Sequence, residues 1–105
     1  MVARLWSART TAQLCTAYTD YFSLNVLPEL RAVPGFVSAQ VFTNSHGVDA
    51  EVEILVITFW RSMEAISAFA GADREAAVVH AAAAALLTGY DRRVRHFEVA
   101  VSATA

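Results

Sequence analysis

His80 stands alone in an apolar stretch, between Val79 and Ala81. A neutral imidazole exchanges a proton near pH 7, so His80 is the first candidate for general acid–base work. The competing reading is a half-buried histidine bonded to a backbone carbonyl. Trp60, at the end of an apolar run, is the second candidate. Its ring can stack on a planar molecule and its N–H can donate to a carbonyl, or it can close a sheet end as core. Tyr18 and Phe22 are one helical turn apart and would roof a pocket, with Tyr18 offering a phenolic proton; both also suit a core. Trp6 either reaches the same cavity or packs at a subunit contact.

Residue types and spacing exclude other chemistries. The chain has no lysine, which removes Schiff-base chemistry. Its one cysteine, Cys15, rules out an internal disulfide and a cysteine-based metal cluster, and reads as a small buried hydrophobe. His46, His80 and His96 are scattered, without the close His/Asp/Glu spacing of a metal site, so no metal is expected. His46, beside Gly47, reads as a solvated loop residue, and His96, alternating with Phe97, as structural or interfacial. No glycine-rich phosphate loop is present, so no nucleotide is expected. The net charge of -2 leaves no nucleic-acid footprint. Arg92, Arg93 and Arg95 read as the solvated start of a strand.

These candidates need elements to hold them. Val2–Ala8 reads as a strand. Thr10-Thr11-Ala12-Gln13 resembles a capping box, and Leu14, Tyr18, Tyr21, Phe22 and Val26 then recur at helical spacing. Pro28 predicts a helix end near Asn25 and a separate turn after it. Pro34-Gly35 marks a turn. Phe36–Thr43 and Glu51–Trp60 read as strands joined by the polar loop Asn44–Asp49. Ser62 caps a short helix that stops at Gly71. Asp73 is predicted to cap a second helix through Ala76–Leu87, which places His80 about two turns in. Arg93–Val101 completes the pattern as a strand.

The order strand, helix, strand, strand, helices, strand predicts an α+β fold, a ferredoxin-like four-stranded antiparallel sheet with helices on one face. Residues 1–105 are expected to form one domain. The apolar share is 56% and the charged share 17%, which excludes disorder and exceeds what one small core needs. Both faces of Glu51–Trp60 are apolar. A homodimer through the open sheet face is therefore expected. The apolar run Ala76–Tyr90 is too short and too alanine-rich to span a bilayer. The opening residues lack a signal peptide's apolar core. No membrane partner and a cytoplasmic location are expected.

Ala3–Trp6, Asn25–Phe36, Phe59–Asp73 and Val94–Val99 carry a resemblance to a known family. Over Val2–Val101 the chain resembles the antibiotic biosynthesis monooxygenase family of the dimeric α+β barrel group. The resemblance implies a cofactor-free oxygenase, with neither metal nor flavin. Its substrate would be a hydrophobic, phenolic, anthrone-like small molecule that is deprotonated and whose carbanion reacts with oxygen. Trp60 matches the family's tryptophan at the end of the third strand. His80 matches the place where the oxygenases carry an arginine and, one residue shifted, where haem-degrading members carry an iron-ligating histidine. The family's asparagine and tyrosine positions carry Val56 and Ile66 here. The haem branch's first-strand asparagine is absent, and its helix tryptophan is Phe69. With Tyr18, Phe22 and Trp6, the residues Val56, Ile66 and Phe69 would form the substrate walls. Two other readings stay open: a non-catalytic dimer that binds an apolar small molecule or acts as a stress-related accessory protein, and a haem-degrading oxygenase.

Overall fold

Strand β1 (Val2–Thr10) pairs antiparallel with β3 (Val52–Trp60) in unbroken register, from Val2 opposite Trp60 to Thr10 opposite Val52. The computed structural model describes residues 1–45 and 51–105, so His46 and the rest of the expected loop after Ser45 lie outside the described residues. Strand β2 (Phe36–Ser45) pairs with the other edge of β3, with a bulge between Phe36 and Ser38. Two short strands, β4 (Gly89–Tyr90) and β5 (Arg95–Glu98), share the free edge of β1. The sheet is antiparallel, in the order β2-β3-β1 followed by the divided fourth strand.

Strand periodicity sorts the side chains. Val2, Arg4, Trp6, Ala8 and Thr10 stand opposite Trp60, Thr58, Val56, Ile54 and Val52. This inner face packs on Tyr18, Phe22, Leu30 and Ile66 from the helices. The outer face carries Leu55, Ile57 and Phe59, half-buried, and Phe42, which is 46% exposed. None of these four belongs to the core cluster.

Helix α1 (Ala12–Tyr21) is capped by Thr11, whose Oγ1 accepts from the Leu14 N–H at 3.2 Å. The expected Thr10–Gln13 box does not form. Thr10 is buried instead, and its hydroxyl donates to the Leu86 carbonyl at 2.7 Å. The helix does not end near Asn25. A π-helical turn, Phe22–Val26, carries it into α2 (Leu27–Arg31). Within that turn the Leu27 N–H reaches back five residues to the Phe22 carbonyl. The wider turn accommodates Pro28, which lacks an N–H and crowds the preceding carbonyl in a regular helix. Helix α3 (Met63–Ala70) begins at Ser62, which accepts from Ala65, and ends at Gly71 with φ +85°, as the sequence predicts.

The Asp73-capped helix is the main correction. Only one turn forms, α4 (Ala81–Ala84). Ahead of it the backbone bonds elsewhere: the Ala77 N–H donates to Arg92 O at 2.9 Å, and the Val94 N–H to Glu75 O at 2.7 Å. Ala76 bridges Arg93, and the Arg4 guanidinium takes the Arg74 and Ala76 carbonyls. Helix propensity is worth at most about 0.7 kcal/mol per ordinary residue, less than one such bond to a charged donor. Asp73 pairs with Arg93 at 2.6 Å, and that bond holds its carboxyl below its ordinary range. Among the described residues, no helix is long and apolar enough to cross a membrane.

Candidate functional site

A pocket opens between the inner sheet face and the helices. Its empty volume, mouth included, is about 650 Å³. The sheet contributes Arg4, Trp6, Val56 and Thr58. Tyr18 and Phe22 face them from the first helix, and Phe69 from α3. Val79, His80 and Glu29 lie toward the entrance side of the same space.

Six of the eight residues singled out by sequence therefore line one cavity: His80, Trp6, Tyr18, Phe22, Val56 and Phe69. Trp60 and Ile66 do not. Both are fully buried. The Trp60 indole N–H donates to Thr58 Oγ1 at 2.8 Å, and its ring stacks on Phe69, centroids 5.6 Å apart, with Phe36 edge-on at 5.4 Å. Trp60 thus backs the pocket wall, and Phe69 is the ring that reaches the cavity.

His80 is not two turns into a helix. It is the N-cap residue of α4, with extended backbone. Its side chain is 53% exposed, and Nε2 lies 3.2 Å from Glu29 Oε2. The imidazole and carboxylate together form a polar pair at the pocket edge. Trp6 lines the cavity while its indole N–H donates to the Asp91 carbonyl at 2.7 Å. Tyr18 is 3% exposed, and burial, with Tyr21 adding, pushes its hydroxyl well above the ordinary tyrosine range. It is a neutral donor at physiological pH.

Sequence reasoning missed Arg4, Thr58 and Glu29. Arg4 is 5% exposed yet lines the pocket. Nη1 donates to the Arg74 carbonyl at 2.5 Å and lies 3.0 Å from His96 Nε2, and Nη2 donates to the Ala76 carbonyl at 2.8 Å. The guanidinium also sits 5.7 Å from the Phe69 ring centroid. Burial lowers its pKa to about 10, so it stays cationic at neutral pH. A signal existed: the two-residue period of β1 puts Arg4 on the core stripe between Val2 and Trp6. Thr58 shares the stripe of Val56 and Trp60. Glu29 carried no comparable mark.

A family model described as antibiotic biosynthesis monooxygenase matches residues 6–85. The chain belongs to this family. No curated protein matches it. Among the solved structures that share its fold are the following three. The haem degrader MhuD of Mycobacterium tuberculosis, solved with two haems in its active site, has a TM-score of 0.65 at 22% identity, covering 99% of this chain and 100% of MhuD. The monooxygenase ActVA-Orf6 of Streptomyces coelicolor, in complex with nanaomycin D, scores 0.63 at 20% identity over 98% of this chain and 91% of its own. A candidate antibiotic biosynthesis monooxygenase from Bacillus cereus scores 0.68 at 15% identity, with coverage of 99% and 97%. These likenesses are of fold. In this member of the antibiotic biosynthesis monooxygenase family, the pocket's polar groups are Arg4, Tyr18, Glu29, Thr58 and His80, set among aromatic and aliphatic walls.

Proposed function

We propose that the chain is a cofactor-independent oxygenase acting on a phenolic, polyketide-type aromatic in the pocket between sheet and helices. One observation carries the reading: an imidazole–carboxylate pair, His80 and Glu29, borders an aromatic-lined cavity. Phe69, Phe22 and Trp6 sandwich the ring system, and Val56 keeps water from it. His80 takes the proton from the activated CH₂ of an anthrone, with Glu29 stabilising the imidazolium. The carbanion adds dioxygen. Loss of water from the resulting hydroperoxide leaves a carbonyl, so CH₂ and O₂ become C=O and H₂O. Tyr18 donates the proton that the leaving hydroxide needs. Trp60 holds Phe69 in place.

Oxygen consumption with a dihydroxyanthrone tests this. Wild type should turn over, and His80→Ala should lose most of the rate. Absence of turnover, or an undiminished rate in the variant, removes the role.

The second reading is a non-catalytic binder. Its support is apolar side chains at two family positions: Val56 in the wall and Ile66 buried behind it. Native mass spectrometry showing a retained hydrophobic ligand, without oxygen consumption, would favour it. Haem fits these residues less well. The pocket's imidazole already has Nε2 against Glu29, and the buried polar group beyond it is a guanidinium, which does not ligate iron. A haem Soret shift that disappears in His80→Ala would reinstate that option. The outer sheet face is proposed to meet a second copy of the chain.

A further inference from the structure

Among the described residues, the hydrogen-bond partners of the buried Arg4 cation are all uncharged acceptors: two backbone carbonyls and the His96 ring nitrogen. Among the described residues, no carboxylate lies within ion-pair distance of it. Arginines this buried ordinarily come paired, because an uncompensated charge in an apolar setting is costly. The guanidinium has five N–H donors. Three are used, two on Nη1 and one on Nη2. The Nε hydrogen and one Nη2 hydrogen have no partner among the described residues. No enclosed side-chain nitrogen among those residues lacks a partner, so Nε, which has none, borders accessible space. Arg4 lines the pocket, and that is the space it borders.

We propose that Arg4 holds the carboxylate of a planar aromatic acid in this pocket. Two free N–H groups on one planar cation suit two carboxylate oxygens, and the Phe69, Val56 and Phe22 walls suit the ring. Glu29, the carboxylate in the described wall, is occupied with His80 and does not neutralise Arg4. The ligand class follows: an aromatic body with an anionic end, the anion innermost. The inference rests on the pocket being the ligand site, as above, but not on the site being catalytic.

Calorimetry of the whole chain with 2-naphthoate and with neutral, nearly isosteric 2-naphthamide tests it. The acid should bind at least about tenfold tighter, the value of one charge-assisted hydrogen bond. The preference should vanish in Arg4→Gln. If that variant does not fold, ¹⁵N-arginine-labelled wild type replaces it: the Arg4 Nε–H resonance should shift with naphthoate and not with naphthamide. Equal affinity for both ligands, an unmoved resonance, or a preference that survives in folded Arg4→Gln overturns the proposal while leaving an aromatic pocket in place. Binding of neither ligand overturns both.

Discussion

Arg4 and His96 stand directly opposite each other across the β1–β5 ladder, with Nη1 3.0 Å from Nε2. An arginine only donates, so His96 Nε2 accepts and its proton sits on Nδ1. The histidine that the sequence marked as structural is therefore a neutral acceptor. It steadies the one buried cation in the pocket wall among the described residues.

That pairing sets a pH dependence. Burial first, then the charge of Arg4, holds His96 below its ordinary value of 6.5, with Glu75 opposing and Arg74 adding to the shift. The unfolded chain binds this proton at higher pH than the folded chain does. The stability contribution is complete above the unfolded value of 6.5 and is lost as pH falls from there through the folded pKa. Urea midpoints measured from neutrality to about pH 5 should fall, and should fall less in His96→Gln. Parallel curves for the two proteins would contradict the pairing.

Trp60→Phe separates a backing role from a substrate-stacking one. The variant removes the bond to Thr58 and leaves a small void beside Phe69. Denaturant unfolding should show a loss of about 1–3 kcal/mol. Ligand affinity should change little, since Trp60 has no surface in the cavity. A large affinity loss at unchanged stability would put the indole in the binding site after all.

Gly35 and Gly71 offer a matched comparison. Both have positive φ, +92° and +85°. A Cβ on Gly35 would meet Ala65 Cβ at 2.5 Å, whereas one on Gly71 would meet nothing within 4 Å. Gly71→Ala should cost about 1–3 kcal/mol, the conformational strain alone, because its φ +85° and ψ −164° are nearly confined to glycine. Gly35→Ala should cost about 2 kcal/mol more, from overpacking against α3. Thermal or urea unfolding of the two variants measures the difference.

The proposed dimer is tested by sedimentation. Wild type should run at twice the chain mass of 11.4 kDa at micromolar concentration, and Leu55→Glu at the chain mass. Leu55, Ile57, Phe59 and Phe42 form the outer face, and a stable interface buries about 1,200–2,000 Å² in total. A wild-type monomer would leave that face unexplained.

Local patterning was enough for the sheet and most of the helices. β3 alternates so regularly that its buried set, Val52, Ile54, Val56, Thr58 and Trp60, is read directly from the residues. Thr11, Ser62 and Gly71 act within a few residues of themselves, so the ends they mark were legible to within a residue. The same period placed Arg4 on the inner stripe. It could not reveal that Arg4 would bond residues some seventy positions away.

Those distant bonds are what tertiary structure alone decided. The segment 74–77 has helical composition, yet its backbone is taken by Arg4, Arg92, Arg93 and Val94, so Ala76–Leu87 is not one helix and His80 becomes a cap at the pocket edge. Local propensities are small and nearly equal among common residues. A few charge-assisted and ladder bonds, formed only once the sheet is assembled, outweigh them. The chain's own order of residues determined the family, the sheet and the inner stripe. Packing determined which ring meets the cavity, which imidazole stands at the pocket edge, and that, among the described residues, the Arg4 guanidinium is the buried cation in the pocket wall.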